Sequence, residues 1–450
     1  MQQPAQRQPA GDGRWHAPAT AGPVRARLRL PGSKSITNRA LILAALADGP
    51  AVIANPLRAR DTRLMAGALR ALGTSIEDSA PGWAVRPGPM DHGGQVDVGN
   101  AGTVLRFVPP VAPLAAGDVA FAGDPRASQR PVRPLIGALR ALGAVIDDGG
   151  RGAVPFTVHG AGQLAGGPVT LDASASSQLV SGLLLAGSRY DKGVEVRHQG
   201  PPVPSLPHIA MTIGMLRDAG AEVEEQGSAV PRPDSWRVYP GPLRPGTVRV
   251  EPDLSNSAPF LAAALVTGGT VTIEGWPART AQPGDRLREL ISALGATCEL
   301  TAGGLTVTGT GAISGINADL RDCSELAPVL TALAALARSP SVFSGIGHMR
   351  GQETDRLAAL ATQLNALGGQ VSELADGLEI RPRPLAAGPF DSHDDHRMVM
   401  TAAVLGLAVP GLTVLNAATV AKTFPGFTTL WAAMLDSGRS GQTAMPERPS

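Results

Sequence analysis

The phrase LRALGTSIE at residues 69–77 returns as LRALGAVID, LRDAGAEVE, ISALGATCE and LNALGGQVS, and this recurrence constrains the fold of the 450-residue chain more than any other feature. Each copy reads as the end of an amphipathic helix, a glycine able to take the left-handed C-cap conformation, and the start of an alternating strand. The glycines are Gly73, Gly143, Gly220, Gly295 and Gly368, at spacings of 70, 77, 75 and 73 residues. A degenerate copy, LWAAMLDSG, closes on Gly438 after another 70. Six related units are expected.

A second phrase runs in step with the first: a polar start, an apolar helix, a turn and a strand. Its helices begin near Ser35, Gly102, Ser177, Ser257, Glu325 and His396, and strands such as 193–196 and 270–274 follow them. Alternating helices and strands define an α/β protein. The sixth unit runs out of chain where its strand is due, while residues 24–30 form a strand with no helix ahead of it. That N-terminal strand is expected to complete the last unit. One domain would then be discontinuous, residues 21–31 joined to 250–436, with 32–249 as the other. The 43% apolar content is enough for two such cores. Residues 1–20 and 437–450, rich in Pro, Gly and polar residues, are expected to be disordered tails.

With 39 basic and 38 acidic residues the net charge is +1, so no global field favours nucleic acid or an anionic membrane. No apolar run approaches the roughly 20 residues that span a bilayer, and residues 1–20 lack the apolar core of a signal peptide. Cys298 and Cys323 stand in no metal-ligand or disulfide pattern. A soluble cytoplasmic protein is expected. Its basic residues are almost all arginine. The lysines are Lys34, Lys192 and Lys422, which makes each of them informative. Lys192, in the turn Asp191-Lys-Gly, carries no functional expectation.

The polar motifs fall at helix starts, where unpaired backbone N–H groups and the helix dipole favour anions. In PGSKSITNR (31–39), Lys34 and Ser35 open a helix and Arg39 follows one turn on. GSKS resembles the end of a P-loop but lacks that motif's earlier glycine, which disfavours nucleotide binding. NAGT (100–103) with Arg106 lets backbone approach a ligand closely, although a plain Asn cap is an equal reading. Arg126 and Arg130 flank a proline-fixed turn and suit bidentate anion binding. Ser174, Ser176, Ser177 and Gln178 suggest a polyol or phosphate partner. Asp253 to Ser257 reads as a cap and an interdomain contact with no catalytic role. Glu325 opens an apolar helix, and Glu353 and Arg356 stand one turn apart, the spacing of a simple ion pair. HDDHR (393–397) could suggest a metal, but Arg397 argues against a dication. Lys422 precedes a proline turn.

Taken in order, PGSKSxTNR, NAGTxxR, PRxxxR, SSQ, ETDR, DHR and AKTFP resemble the 5-enolpyruvylshikimate-3-phosphate synthase family of enolpyruvyl transferases, from about residue 24 to 435. The resemblance implies two inverted α/β barrel domains, each of three βαβαββ repeats, with the active site in the interdomain cleft. It implies transfer of the enolpyruvyl group of phosphoenolpyruvate to the 5-hydroxyl of 3-phosphoshikimate, the shikimate-pathway step toward chorismate and aromatic amino acids, by a monomer with no cofactor or metal. Carried over by position, Lys34, Gly102, Arg126, Gln178, Arg356, Arg397 and Lys422 would hold phosphoenolpyruvate. Lys34, Ser35, Arg39, Ser176, Ser177, Gln178, Ser205, Glu325, His348 and Gln352 would hold 3-phosphoshikimate. Glu325 is the expected base toward the 5-hydroxyl, with Lys34 or Glu353 as the acid that protonates the methylene carbon.

Glu325 stands where many members carry aspartate, Gln352 where lysine is frequent, His348 where asparagine is, and His208 where tyrosine is. A weaker or rearranged sugar-phosphate site shared by His348, Gln352 and Arg39 follows. Two rival readings share parts of this pattern. A UDP-N-acetylglucosamine 1-carboxyvinyltransferase would commonly need a loop cysteine, and residues 123–130 have none. An RNA-terminal phosphate cyclase-like RNA-binding protein is disfavoured by the balanced charge and 3% aromatic content.

Overall fold

A computed structural model of the chain describes residues 13–20, 22–80, 82–130, 132–227 and 234–440. Among these residues two compact units emerge, one within 31–253 with 279–283, the other of 13–30 with 254–278 and 284–440. Residues 250–253 and 279–283 thus belong with the 31–253 unit, not with the domain expected to begin at 250. The Glu251 carboxylate explains this: its Oε2 accepts from Thr280 Oγ1 at 2.6 Å and from Gln282 Nε2 at 2.7 Å.

Each unit holds three sheets with one strand pattern. In the 31–253 unit, Gly94–Asp97 runs parallel to Asp118–Ala122, which pairs antiparallel with Phe156–His159, and that strand with Val145–Asp147. Gly167–Leu171, Val194–His198, Ser235–Val238 and Val223–Gln226 repeat it, as do Thr247–Arg249, Ala51–Ala54, Gly82–Arg86 and Ser75–Ser79. The same order recurs in the other unit, with a three-stranded variant for the sixth repeat. The strand orders are linear, so the expected barrels take the form of three open sheets per unit with no sheet closing on itself among the described residues.

Two kinds of helix serve these sheets. Those of the second phrase are apolar all round and buried: Leu179 to Gly187 is nine consecutive buried residues, and Ala327–Ala335 is buried throughout. An all-round apolar helix belongs in a core, and within each unit the buried helices pack on one another and on their sheets. Helices such as Arg60–Ala71 and Arg133–Ala141 bury one face only. They end on the repeated glycines, whose φ values of 94°, 106°, 92°, 110° and 92° are the left-handed C-caps expected of Gly73, Gly143, Gly220, Gly295 and Gly368.

Three expectations need correction. The strand near residues 24–30, Arg25–Leu28, does not complete the sixth repeat; it lies parallel to Thr270–Ile273 in the fourth. The sixth sheet is instead completed by Trp15–His16, antiparallel to Thr413–Val414. Residues 13–20 are therefore not a free tail: Trp15 meets Phe427 edge-on at 6.4 Å between ring centroids, and Ala17 is buried. Residues 1–12 lie outside the described residues. Finally, the last helix, Phe427–Ser440, runs through Gly438, so the sixth LWAAMLDSG copy is not a helix end, and Ser437 is buried inside the helix. The rest of the expected C-terminal tail, 441–450, lies outside the described residues.

Candidate active site

In the 31–253 unit, the helix Lys34–Ala45 is started by Ser33, whose side chain accepts from the Ile36 N–H. The Lys34 N–H donates to Asp253 Oδ2 at 3.1 Å, and its ammonium to Asp61 Oδ2 at 3.3 Å. Asp61 is almost fully buried, at 2% side-chain exposure against 21% for Lys34. A buried carboxylate fixes the ammonium in place, and the lysine still exposes part of its donor set. Ser35 is half-buried beside it.

Arg39 behaves differently from a surface anion ligand. It is 1% exposed and its guanidinium lies 5.1 Å from the Phe107 ring centroid. Nε donates to Thr212 Oγ1 at 2.7 Å, and Nη2 to the His208 carbonyl at 3.0 Å and to Ser181 Oγ at 3.4 Å. Nη1 donates to the Ser35 carbonyl at 3.0 Å. Burial pushes its pKa down to about 9, because these acceptors are neutral and desolvation penalises the charged form. Its donors therefore join the Lys34 helix to Leu206–Asp218 and Gln178–Gly187.

Around Gly102 the arginines converge. Arg106 Nη1 donates to the Gly102 carbonyl at 3.3 Å and to Gln178 Oε1 at 3.2 Å, while Arg130 Nη1 donates to the Asn100 carbonyl at 2.8 Å. A Cβ at Gly102 would lie 2.7 Å from Arg130 Nη2 and 2.8 Å from Arg106 Nη1. The glycine is what lets two cations flank one helix start. Asn38 Nδ2 donates to Thr103 Oγ1 at 2.6 Å, tying that start to the Lys34 helix. Gln178 opens its helix with its N–H on Ser176 Oγ at 3.3 Å, next to buried Ser177. Ser205, in the left-handed conformation at φ 53°, stands at the N-cap position of Leu206–Asp218 with no capping bond from its side chain. Arg126 sits on the turn Pro125–Gln129 and donates to Gln129.

The other unit gathers the acids. Glu325 lies in the single turn Ser324–Leu326, where Ser255 Oγ donates to its Oε1 at 3.1 Å. The Ser255 carbonyl also accepts from Arg397 Nη1 at 3.1 Å, so the 253–257 segment, expected to have no part in the chemistry, links the candidate base to a cation. His348 Nε2 lies 2.9 Å from Ser324 Oγ. Burial drives the His348 pKa down to about 4, with Asp376 opposing the shift. It is a neutral imidazole near pH 7 and contributes no charge to a sugar phosphate.

Glu353 and Arg356 are not the surface ion pair their spacing allows. Arg356 Nη2 meets Glu353 Oε2 at 2.9 Å and Arg356 Nε meets Asp395 Oδ2 at 2.6 Å, with all three side chains buried. Burial alone would lower the Arg356 pKa, but Asp395 and Glu353 outweigh it and the net shift is upward. Gln352 accepts from Arg356 through its side-chain oxygen. Lys422 Nζ reaches Glu353 Oε1 at 3.2 Å. Asp395 also caps the helix His396–Gly406 by accepting from the Arg397 N–H at 2.8 Å. Asp395 thus serves arginines, and no cluster able to hold a metal ion is found among the described residues. Lys422 ends the turn Ala417–Lys422, and Phe424 just beyond it packs on Phe260 and Phe427 at 5.8 and 5.7 Å.

The expected residues therefore form two sets, one per unit, and Lys34 and Lys422 each rest on a carboxylate of their own unit. Asp61 and Asp395 were missed as partners, and so was the convergence of Arg106 and Arg130 on Gly102. Asp61 gives no sequence signal beyond an acid in a helix's first turn, the ordinary complement to the dipole.

Solved structures similar to this chain define its class. An EPSP synthase from Acinetobacter baumannii has a TM-score of 0.74 and 26% identity, covering 96% of this chain and 98% of its own. The enolpyruvyl transferase NikO from Streptomyces tendae has a TM-score of 0.69 over 92% of this chain and 95% of its own; at 16% identity it shows the fold alone. The fold is thus the two-domain α/β fold of enolpyruvyl transferases. The family model described as EPSP synthase (3-phosphoshikimate 1-carboxyvinyltransferase) matches residues 18–431. A 3-phosphoshikimate 1-carboxyvinyltransferase from Kocuria rhizophila is 49% identical over 440 residues, 95% of this chain and 98% of that protein. The chain belongs to the EPSP synthase family.

Proposed function

We propose that this chain transfers the enolpyruvyl group of phosphoenolpyruvate to the 5-hydroxyl of 3-phosphoshikimate, releasing phosphate, and that both residue sets serve this one reaction. The observation that carries the reading is the pair of carboxylate-held lysines, Lys34 on Asp61 and Lys422 on Glu353, among arginines at helix starts. Two polyanionic substrates need such a field of fixed cations, and developing charge on the departing phosphate needs it most.

Lys34, Gly102, Arg126, Gln178, Arg356, Arg397 and Lys422 hold phosphoenolpyruvate; Ser35, Ser176, Ser177, Ser205 and Glu325 hold the shikimate side. Glu325, oriented by Ser255, takes the 5-hydroxyl proton as that oxygen attacks C2. Lys34 or Glu353 delivers a proton to the methylene carbon, then the reverse transfer accompanies loss of phosphate. Arg39 acts through the helix starts it joins, and His348 and Gln352 offer the sugar phosphate neutral contacts. The same reading makes the protein a cytoplasmic monomer that acts on small molecules and not on nucleic acid. No helix among the described residues is long and apolar enough to cross a membrane.

Incubation with both substrates, followed by proton NMR, tests the reaction. New vinyl signals of an enolpyruvyl ether are expected with stoichiometric phosphate. Unchanged substrates would refute the assignment.

A further inference from the structure

The turn before Arg397 and the turn that carries Lys422 are stitched together by residues that the reading above leaves unused. His393 and Asp394 are consecutive left-handed residues, with φ of 49° and 56°, and Asn416 is left-handed at 51°. Such backbone persists in non-glycine residues where the surroundings over-determine it, and Asp and Asn are the types that tolerate it best. Here four hydrogen bonds do so. Asn416 Nδ2 donates to Asp394 Oδ1. Thr419 Oγ1 donates to the Asp394 carbonyl at 2.9 Å, Ser392 Oγ to the Asn416 carbonyl at 3.2 Å, and the Ser392 N–H to the Leu415 carbonyl at 3.4 Å. Ser392 is fully buried.

We propose that Asp394 and Asn416 are positioning residues for the phosphoenolpyruvate cations, their side-chain pair holding the turn that aims Arg397 against the turn that presents Lys422. The proposal rests on the assignment of Arg397 and Lys422 to that substrate. Asp394 directly precedes Asp395, which fixes Arg356 and the Arg397 N–H, and Asn416 opens the turn Ala417–Lys422. A small slip at this seam moves three cations relative to one another. Of the shikimate-binding side chains, Ser35, Ser176, Ser177 and Ser205 belong to the other unit, and Glu325 stands on a separate turn, Ser324–Leu326. The expected signature is therefore selective for one substrate.

The test exchanges the pair without changing its tolerance of left-handed backbone. Asn416→Asp sets two carboxylates against each other, and the double variant Asp394→Asn/Asn416→Asp restores one carboxylate and one amide in reverse. Asn416→Asp is expected to raise KM for phosphoenolpyruvate by about tenfold, with KM for 3-phosphoshikimate within about twofold of wild type. The exchanged double variant is expected to recover most of that loss, the non-additivity expected of a direct pair. Thermal melts accompany each variant. An unchanged phosphoenolpyruvate KM in Asn416→Asp, equal losses for both substrates, or a double variant no better than the single would overturn the proposal. If Asn416→Asp fails to fold, the same selective rise is required of Thr419→Val, and its absence there also overturns it. A wild-type enzyme inactive with both substrates would instead defeat the functional assignment itself.

Discussion

At Lys34 two different carboxylates hold backbone and side chain, Asp253 the N–H and Asp61 the ammonium. Replacing the ammonium by a thioether removes a substrate cation and leaves Asp61 buried without its counter-charge. Lys34→Met is expected to lower turnover by roughly a thousandfold or more, and to cost on the order of 1–3 kcal/mol in stability, while circular dichroism stays native. Near-normal turnover in a phosphate-release assay would contradict its role. Lys34 and Lys422 were legible because lysine is scarce in this chain. Asp61 was not, since nothing in sequence tells a buried carboxylate from an exposed one. Arg39 was read as a ligand cation because it lies one helical turn beyond Ser35, on that residue's face. Its burial under Thr212 and the His208 carbonyl comes from a single helix far along the chain, Leu206–Asp218, which spacing cannot report.

Among elements, the helices Gly102–Phe107 and Gln178–Gly187 show what spaces the site. A Cβ at Gly182 would come within 2.1 Å of the Arg106 carbonyl oxygen, so the two backbones touch there. That contact sets Arg106 beside Gln178. Alanine normally improves a helix interior by about 1 kcal/mol. At position 182 it is expected to destabilise by about 2–3 kcal/mol instead, because neither backbone can yield without repacking the core. Urea unfolding decides the sign, and a more stable variant would refute the close approach. These helices were visible in the sequence as apolar runs with polar starts. The Trp15–His16 strand was not: two residues cannot show alternation, and its Pro- and Ala-rich surroundings read as tail. Arg25–Leu28 was recognised as a strand but given the wrong sheet, because periodicity specifies a strand and says nothing of its partner.

For the molecule as a whole, six repeats are read twice over, once as phrases and once as sheets. Arg25–Leu28 precedes the first passage between units and Thr247–Arg249 the second, and each supplies the outer strand of a sheet whose other three strands come later or much earlier in the chain. Repetition predicted the number of units and their α/β character. It could not predict which strand fills which edge, since every first strand is interchangeable by pattern. As proposed above, two units, each contributing a carboxylate-held lysine, carry out enolpyruvyl transfer to 3-phosphoshikimate. Phosphate release from phosphoenolpyruvate, measured with 3-phosphoshikimate or UDP-N-acetylglucosamine as the sole acceptor, tests this. Release with 3-phosphoshikimate alone is predicted, and release only with UDP-N-acetylglucosamine would contradict that acceptor.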